Sequence, residues 1–484
     1  MNNPMFLVIL IAVAWLAIAA RYPRHAVWLL LLWVPVQGWF QLNLFEDSTA
    51  TVLLYEFQIV GIYAVFLARA LRDPRAYGPP RVFWLALPFV VWAGLLVPSS
   101  VAQNGLLLTV LGLRTYLLPL PLLWIGYRSF TGRAGFENVV VILMAETVLS
   151  AAVAATQLAS LSSVGGAVFD VPTGYSIAGV IRPPGTFSWS GHYGMFLLFA
   201  VPFAIGLLGM NVTVWKRLSF FLGLIGAIVG LMVNTQRAAI VILAVILPFI
   251  VVLAGRRQAL LRMAIAAGII FVGGMIGMRV AGGVFQERMD SIGYDLNNTL
   301  VVIPLDRISD ALETPMFGGG LGIASPGSGR LVPASGMGTA LRPLDSIKPS
   351  ESFVAALIYQ TGLPGLLFFF GFMGAILVHT MRAMRRCKNT DLHLLAACIV
   401  GFEIAMFLQS WAYDPLHFPP SRIFYWFWAG VLLSLPELAR RATVAGRGPS
   451  ANVVARGPGV DDRQQVIYRP SVIQRPGVAA RRRS

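Results

Sequence analysis

An all-α, polytopic bundle of about 12 to 14 transmembrane helices is what this sequence predicts, from three observations. Of its 484 residues 57% are hydrophobic and only 12% charged, with a mean hydropathy of +0.73. Long runs carry no charge at all, as from Leu218 to Val233. The arginines and lysines fall in short stretches between apolar segments, and they alternate from one side to the other, as loops flanking membrane spans do. Backbone amides in lipid must find their partners within the segment, so such segments are helices. The residue-by-residue alternation of a membrane β-barrel is absent.

A span needs roughly 20 mostly apolar residues. That length predicts helices near 5–20, 27–44, 51–70, 82–98, 105–126, 136–160, 191–209, 215–233, 236–254, 260–281, 352–379, 391–412 and 419–437. The first has no basic residues before it and is followed by Arg21 and Arg24, so it reads as a retained helix rather than a cleaved signal. These spans make one bundle over 1–437, into which a large outer loop, 282–350, is inserted. A stretch of that size without spans predicts a partly folded cap, helical near Val302 to Leu312. The Pro-, Gly- and Arg-rich tail, 438–484, has no apolar period and reads as disordered. It supplies much of the net charge of +16 and suits attraction to anionic lipid; no nucleic-acid-binding motif accompanies it. Two cysteines, Cys387 and Cys398, give neither a disulfide framework nor a metal spacing.

Basic loops set the orientation. Arg21 and Arg24; Arg69, Arg72, Arg75 and Arg81; Arg128 and Arg133; Lys216 and Arg217; Arg256, Arg257 and Arg262; and Arg382, Arg385, Arg386 and Lys388 form one set with the tail. They are assigned to the cytoplasm, which an odd helix count converts into an outer N-terminus.

A few arginines break the alternation. Arg182 lies in an outer loop, in the string Val180 to Phe187, and Arg237 in the short turn Asn234 Thr235 Gln236 Arg237; Arg114 falls inside the fifth span. Charge at membrane depth faces the bundle interior, pairs with a carboxylate or lines a ligand path. Glu46, Asp47, Asp170, Glu287, Asp290, Glu351 and Asp414 are partners available for the paired alternative. The ligand alternative is a diphosphate on a lipid, because the guanidinium fork matches phosphate oxygens bidentately and stays charged. Arg288, Arg307 and Arg342 in the large loop, and His417 with Arg422 in the last outer loop, are candidates for donor or acceptor contacts, although solvated loop arginines need no special reason.

The strings resemble a known family. Arg182 Pro183 Pro184 Gly185 Thr186 Phe187 is similar to the R-x-x-G-T-F pattern of the O-antigen ligase and polymerase superfamily, and Asn234 to Ala238 resembles its T-x-S-R-x turn. Thr314 to Gly322 resembles its P-x-x-G-x-G-x-G segment, and Gly362 Leu363 Pro364 Gly365 Leu366 lies in a stretch like its E-x-G-x-x-G-L helix. Order, spacing and the long loop agree over roughly residues 106–433. One departure is specific. Where ligases of the family carry histidine in a P-H-N-type string, this chain reads Lys348 Pro349 Ser350 Glu351 Ser352, which is closer to the exopolysaccharide polymerases.

The resemblance implies a GT-C-type membrane glycosyltransferase with a large periplasmic loop between late helices. It implies a polyprenyl-diphosphate-linked oligosaccharide as donor and a glycan hydroxyl as acceptor, without cofactor, nucleotide sugar or metal. It implies a bacterial inner membrane location with a periplasmic active site and, as partners, a flippase and a chain-length regulator. Arg182, Arg237 and Arg114 would bind the diphosphate; Glu351, or after it His192, would be the base, with His417 a weaker third. Two other readings stay open. One is a transporter or flippase of the same lipid-linked sugars. The other is a metal-dependent GT-C mannosyltransferase, for which Glu46 and Asp47 would be the acidic pair.

Overall fold

A computed structural model of the chain describes residues 4–43, 49–162, 176–177, 180–181, 183–187, 189–234, 237–255, 268, 297–325, 352–417 and 419–446. The helices are α1 (Pro4–Arg21), α2 (Pro23–Asn43), α3 (Thr49–Arg72), the single turn α4 (Pro74–Tyr77), α5 (Leu87–Leu117, entered through a 3-10 turn over Arg81–Ala86), α6 (Pro121–Ser129) and α7 (Arg133–Ser162). They continue with α8 (Ser190–Leu207), α9 (Val214–Asn234), α10 (Arg237–Ala254), α11 (Ile303–Leu312), α12 (Phe353–Arg386), α13 (His393–Ala412) and α14 (Pro419–Gly446). Among the described residues the sole strand pairing is a two-residue antiparallel bridge, Ser176–Ile177 with Val180–Ile181. Eight of the helical segments are long and apolar enough to cross a membrane. The fold is therefore an all-helical bundle with the composition of a multi-pass membrane protein. The predicted span at 260–281 lies outside the described residues except for Gly268, and so do the loop on either side of 297–325 and the tail after Gly446. The chain divides into a body, Met1–Ala442, and a terminal unit, Thr443–Ser484.

Within the body, α8 is buried over nearly its whole length, and α9 and α13 pack against it. Aromatic rings interlock along this seam: Phe199 stacks on Trp428 at 5.4 Å and Phe203 on Phe199 at 4.5 Å. Large rings of this kind give a seam its shape through offset and edge-on packing.

The basic loops meet at one end. Arg69 donates to the carbonyl of Ala20 at 2.9 Å, Arg24 to that of Arg128 at 3.4 Å, Arg128 to that of Gly78 at 2.8 Å, and Arg441 to that of Thr131 at 3.1 Å. A second group ties α7, α9 and the turn before α13 together. Arg133 pairs with Asp391 at 2.6 Å and Glu137 at 2.7 Å, and Lys216 pairs with Glu137 at 2.7 Å. Charge alone places these loops on one side, and the contacts among the described ones join them at one end; the loop with Arg256, Arg257 and Arg262 lies outside the described residues.

Two helices turn back on themselves. Tyr77 and Gly78 before α5 touch Trp124 and Arg128 after it, so the chain leaves the basic end near 81 and returns to it near 128. The reversal is at Gly105, whose φ of 82° is left-handed and open to glycine. The span expected at 105–126 is found as one apolar stretch, Leu106–Ser129, interrupted by a turn at 118–120 where Pro119 and Pro121 lack ladder donors and the carbonyl of Leu118 accepts from Tyr63.

The correction at α12 is larger. A continuous span was expected over 352–379, and the backbone instead breaks at Gly362, with φ 68°. In a straight helix, residues 353 and 369 would be separated by roughly 24 Å at 1.5 Å per residue. Their rings are 5.2 Å apart. Phe353 to Thr361 is thus a short half-helix folded back into the bundle.

Candidate functional site

The Arg-Pro-Pro-Gly-Thr-Phe string is built into the bundle from its second residue on. Thr186 is inserted into the hydrogen-bond ladder of α2. Its carbonyl accepts from the amide of Trp39 at 2.8 Å, and its hydroxyl donates to the carbonyl of Pro35 at 2.8 Å. Residues 35 and 39 are the i and i+4 of one ladder step, so the loop residue substitutes for the step it opens. Gly185, with φ 62°, is clamped on both faces by Gln157, at 2.9 and 3.0 Å. Arg182 itself lies outside the described residues; the base that carries it is fixed by α2 and α7.

Asn234 joins this loop to the second string. Its Nδ2 donates to the carbonyls of Pro183 and Ser190, each at 3.0 Å. The loop after Arg182 and the turn before Arg237 are therefore one construction. Arg237 opens α10, and its side chain is outside the described set. Sequence order alone separated these strings by some fifty residues; one buried amide brings them together.

The glycine-rich string closes the two helix reversals. Gly319 donates to the carbonyl of Tyr359 at 2.7 Å and accepts from Asn104 at 3.0 Å. Leu321 donates to Ser100 at 2.9 Å, and Gly322 donates to Gln360 at 2.7 Å. The string thus plugs the space between the break at Gly105 and the break at Gly362. Gln360 extends the network inward, donating to the hydroxyl of Tyr116 at 2.9 Å.

Beneath the plug lies a buried polar cluster. Arg422 is 3% exposed, donates to the hydroxyl of Tyr55, and lies over that ring at 5.8 Å. Tyr55 in turn donates to Glu56 at 3.0 Å, and Glu56 forms an ion pair with Arg114. Asp414 accepts from Nδ1 of His417, whose ring meets Tyr116 and Phe353 edge-on, each at 5.0 Å. His192, edge-on to Trp189 at 5.3 Å, is near enough to Arg422 for the guanidinium charge to act on it. Among the described residues, Nε of Arg114, Nε2 of His417 and Oγ of Ser421 have no protein partner. Buried polar atoms are nearly always bonded, so these three are donors and acceptors that the described protein groups leave available.

The structure therefore gathers Arg114, His192, His417 and Arg422 in one half of the bundle, the half remote from the basic loops. Arg307 is half-buried on α11, where it and Asp310 lie near Tyr359 of the folded-back half-helix rather than in the Arg422 cluster. Arg288, Arg342 and Glu351 lie outside the described residues; Ser352, next to Glu351, donates to the carbonyl of Trp411 at 2.7 Å, and Phe353 donates to that of Tyr413 at 3.0 Å. Ser352 and Phe353 thus lie beside the segment that carries Asp414 and His417. Of the carboxylates expected as partners, Asp414 binds histidine rather than arginine, and Glu46, Asp47, Asp170, Glu287 and Asp290 fall outside the described set.

Sequence reasoning missed Glu56, Tyr55 and Gln360. The signal for Glu56 was present: it is the sole acid within α3, and the logic applied to arginines in spans applies equally to carboxylates. Glu403 in α13, buried and accepting from Thr380 at 2.6 Å, carried the same signal.

No protein-family model matches the chain, and no curated protein matches it in sequence.

Proposed function

We propose that the chain is a membrane glycosyltransferase of GT-C type, a polysaccharide polymerase or ligase of the O-antigen kind. It would transfer oligosaccharide from a polyprenyl-diphosphate carrier to a hydroxyl of an acceptor glycan, on the periplasmic face of a bacterial inner membrane. The basic loops and the C-terminus are then cytoplasmic. The large loop, 282–350, would be the periplasmic cap.

The observation that carries this reading is the joining of the Arg182 loop to the Arg237 turn through Asn234, in the same half of the bundle as the buried Arg422 cluster. Arginines carried by one joined loop and turn, with a buried arginine in the same half of the bundle, suit a diphosphate whose lipid tail remains in the bilayer. The acceptor oxygen bonds to the anomeric carbon while the bond from that carbon to the diphosphate oxygen breaks. The electron pair leaves with the diphosphate, where guanidinium groups stabilise it. The hydroxyl proton passes to a base. Glu351 and His192 are the bases that the sequence proposes, and His417 gains standing from its geometry. Its Nδ1 is fixed by Asp414, and its Nε2 has no partner among the described residues, which is the arrangement of a carboxylate-oriented imidazole. Arg114 is held by Glu56, so its charge is partly spent within the protein, and Arg422 takes its place as the third diphosphate ligand.

The test is reconstitution. Purified protein with a lipid-linked repeat unit should lengthen the lipid-linked glycan without ATP, nucleotide sugar or added metal. Full activity of Arg237→Ala in this assay would rule out the diphosphate site. Comparison of Glu351→Gln with His417→Gln assigns the base, since losing a general base costs about 10²- to 10⁴-fold.

The broken helices at Gly105 and Gly362 favour a second reading, a transporter of the same lipid-linked sugars, because discontinuous helices line many transport sites. Here the breaks are filled by the chain's own glycine-rich string. A transporter would move the carrier across the bilayer and leave its glycan length unchanged.

A further inference from the structure

At the basic end a cleft of about 220 Å³ opens between α4, α6 and α14, and the proposed transfer reaction does not use it. Four arginines line it: Arg24, Arg75, Arg128 and Arg441. Three are fixed from behind. Arg24 donates through Nε to the carbonyl of Arg128, Arg128 through Nε to the carbonyl of Gly78, and Arg441 through Nη1 to the carbonyl of Thr131 at 3.1 Å. Arg128 is also stacked over Tyr127 at 4.8 Å, and Arg24 over Tyr77 at 5.5 Å. Binding through Nε leaves the Nη edges of Arg24 and Arg128 for another acceptor. The single carboxylate of the lining, Glu437, is already shared by Arg440 and Arg441. Phe130 and Leu438 complete the wall on the apolar side.

We propose that this cleft is a phosphate-binding site, a seat for the phosphodiester of an anionic phospholipid or for a soluble phosphate. Four guanidinium groups against one engaged carboxylate leave a local excess of positive charge. Guanidinium is the side chain best matched to phosphate oxygens, and basic pockets between helices at a membrane surface take anionic headgroups. The apolar wall gives acyl chains a surface to lie on. The pre-formed hydrogen bonds mean that little side-chain freedom is lost on binding.

The experiment titrates phosphatidylglycerol into the full chain in detergent and reads bound lipid by native mass spectrometry, with phosphatidylcholine as the zwitterionic reference and inorganic phosphate as competitor. Phosphatidylglycerol should bind in preference to phosphatidylcholine. Arg75→Gln and Arg128→Gln should each weaken it about fivefold, the effect of one basic residue near a headgroup. Arg217→Gln removes the same charge from an exposed position at the same end but outside the cleft, and should change nothing. Because Arg128 also ties down Gly78, the exposed Arg75 carries the result if Arg128→Gln does not fold. Competition by millimolar inorganic phosphate, with the same dependence on Arg75, supports the site and assigns it to a soluble anion. The proposal fails if Arg217→Gln weakens binding as much as Arg75→Gln, or if neither phosphatidylglycerol nor phosphate binds better than phosphatidylcholine.

Discussion

The two ends of this bundle set arginine in different surroundings. At the basic end, guanidinium groups at or near the surface divide their bonds between backbone carbonyls of neighbouring loops, as Arg69 does for Ala20 and Arg441 for Thr131, and exposed or half-buried carboxylates, as Arg133 does for Asp391 and Glu137. In the other half, the arginines of the described residues reach for side chains within the bundle: Arg422 for Tyr55, Arg114 for Glu56. The difference follows from solvent. A carbonyl at a helix end is an adequate partner for a charge that water and lipid headgroups also solvate. A charge taken into the bundle needs a counter-charge, a hydrogen-bonded network or a ligand. The first arrangement ties loops together, and the second concentrates field at a point.

Substitutions can break or sharpen this contrast. The largest effect is expected from Arg422→Gln, which should lower glycan transfer by about 100-fold or more, as loss of one preorganised donor does. Size-exclusion chromatography of the variant separates loss of function from loss of fold; a folded variant with unchanged rates would show the inner arginine to be as structural as the outer ones. Next comes Gly362→Ala. A Cβ there would lie 2.0 Å from the carbonyl oxygen of Met316, on a residue with φ 68°. We expect about 2 to 4 kcal/mol of destabilisation, measured as denaturant or thermal unfolding, from strain and overpacking together. Glu56→Gln should cost less, about 1 to 3 kcal/mol, because Arg114 loses its counter-charge at a site that is partly open, its side chain being 31% exposed. Adding Arg114→Gln should recover part of that loss, which a double-mutant cycle reads directly. The smallest effect belongs to the basic end. Arg69→Gln should change unfolding by no more than about 0.5 to 1 kcal/mol, since its bonds to Ala20 are solvent-exposed. A loss as large as that of Glu56→Gln would erase the distinction between the ends.

The strings at 182–187, 234–238 and 314–322 were legible as strings, and the structure gives each a mechanical part. Thr186 completes a ladder step of α2, Asn234 binds the first string to the second, and the glycines of the third fill two helix breaks. None of those partners could be read from the strings, because every one lies far away in sequence: Thr186 with Pro35, Leu321 with Ser100, Gln360 with Tyr116. The search of the spans was also one-sided. It looked for guanidinium groups and passed over Glu56 in α3, although a carboxylate in an apolar helix needs a partner for the same reason.

By itself, the sequence determined the helical class, the positions of most of the described spans, and which of the described loops share an end. Those properties are local or additive: the length of an apolar run, the need to close backbone hydrogen bonds within it, and the count of basic residues beside it. Only the tertiary structure decided that α12 folds back at Gly362, that Arg114 is held by Glu56, and that Arg422 reaches Tyr55 across 367 residues of chain. Hydropathy fixes how deep a residue sits but not which way it faces or what it meets there. Pairing is chosen by the packing of whole helices.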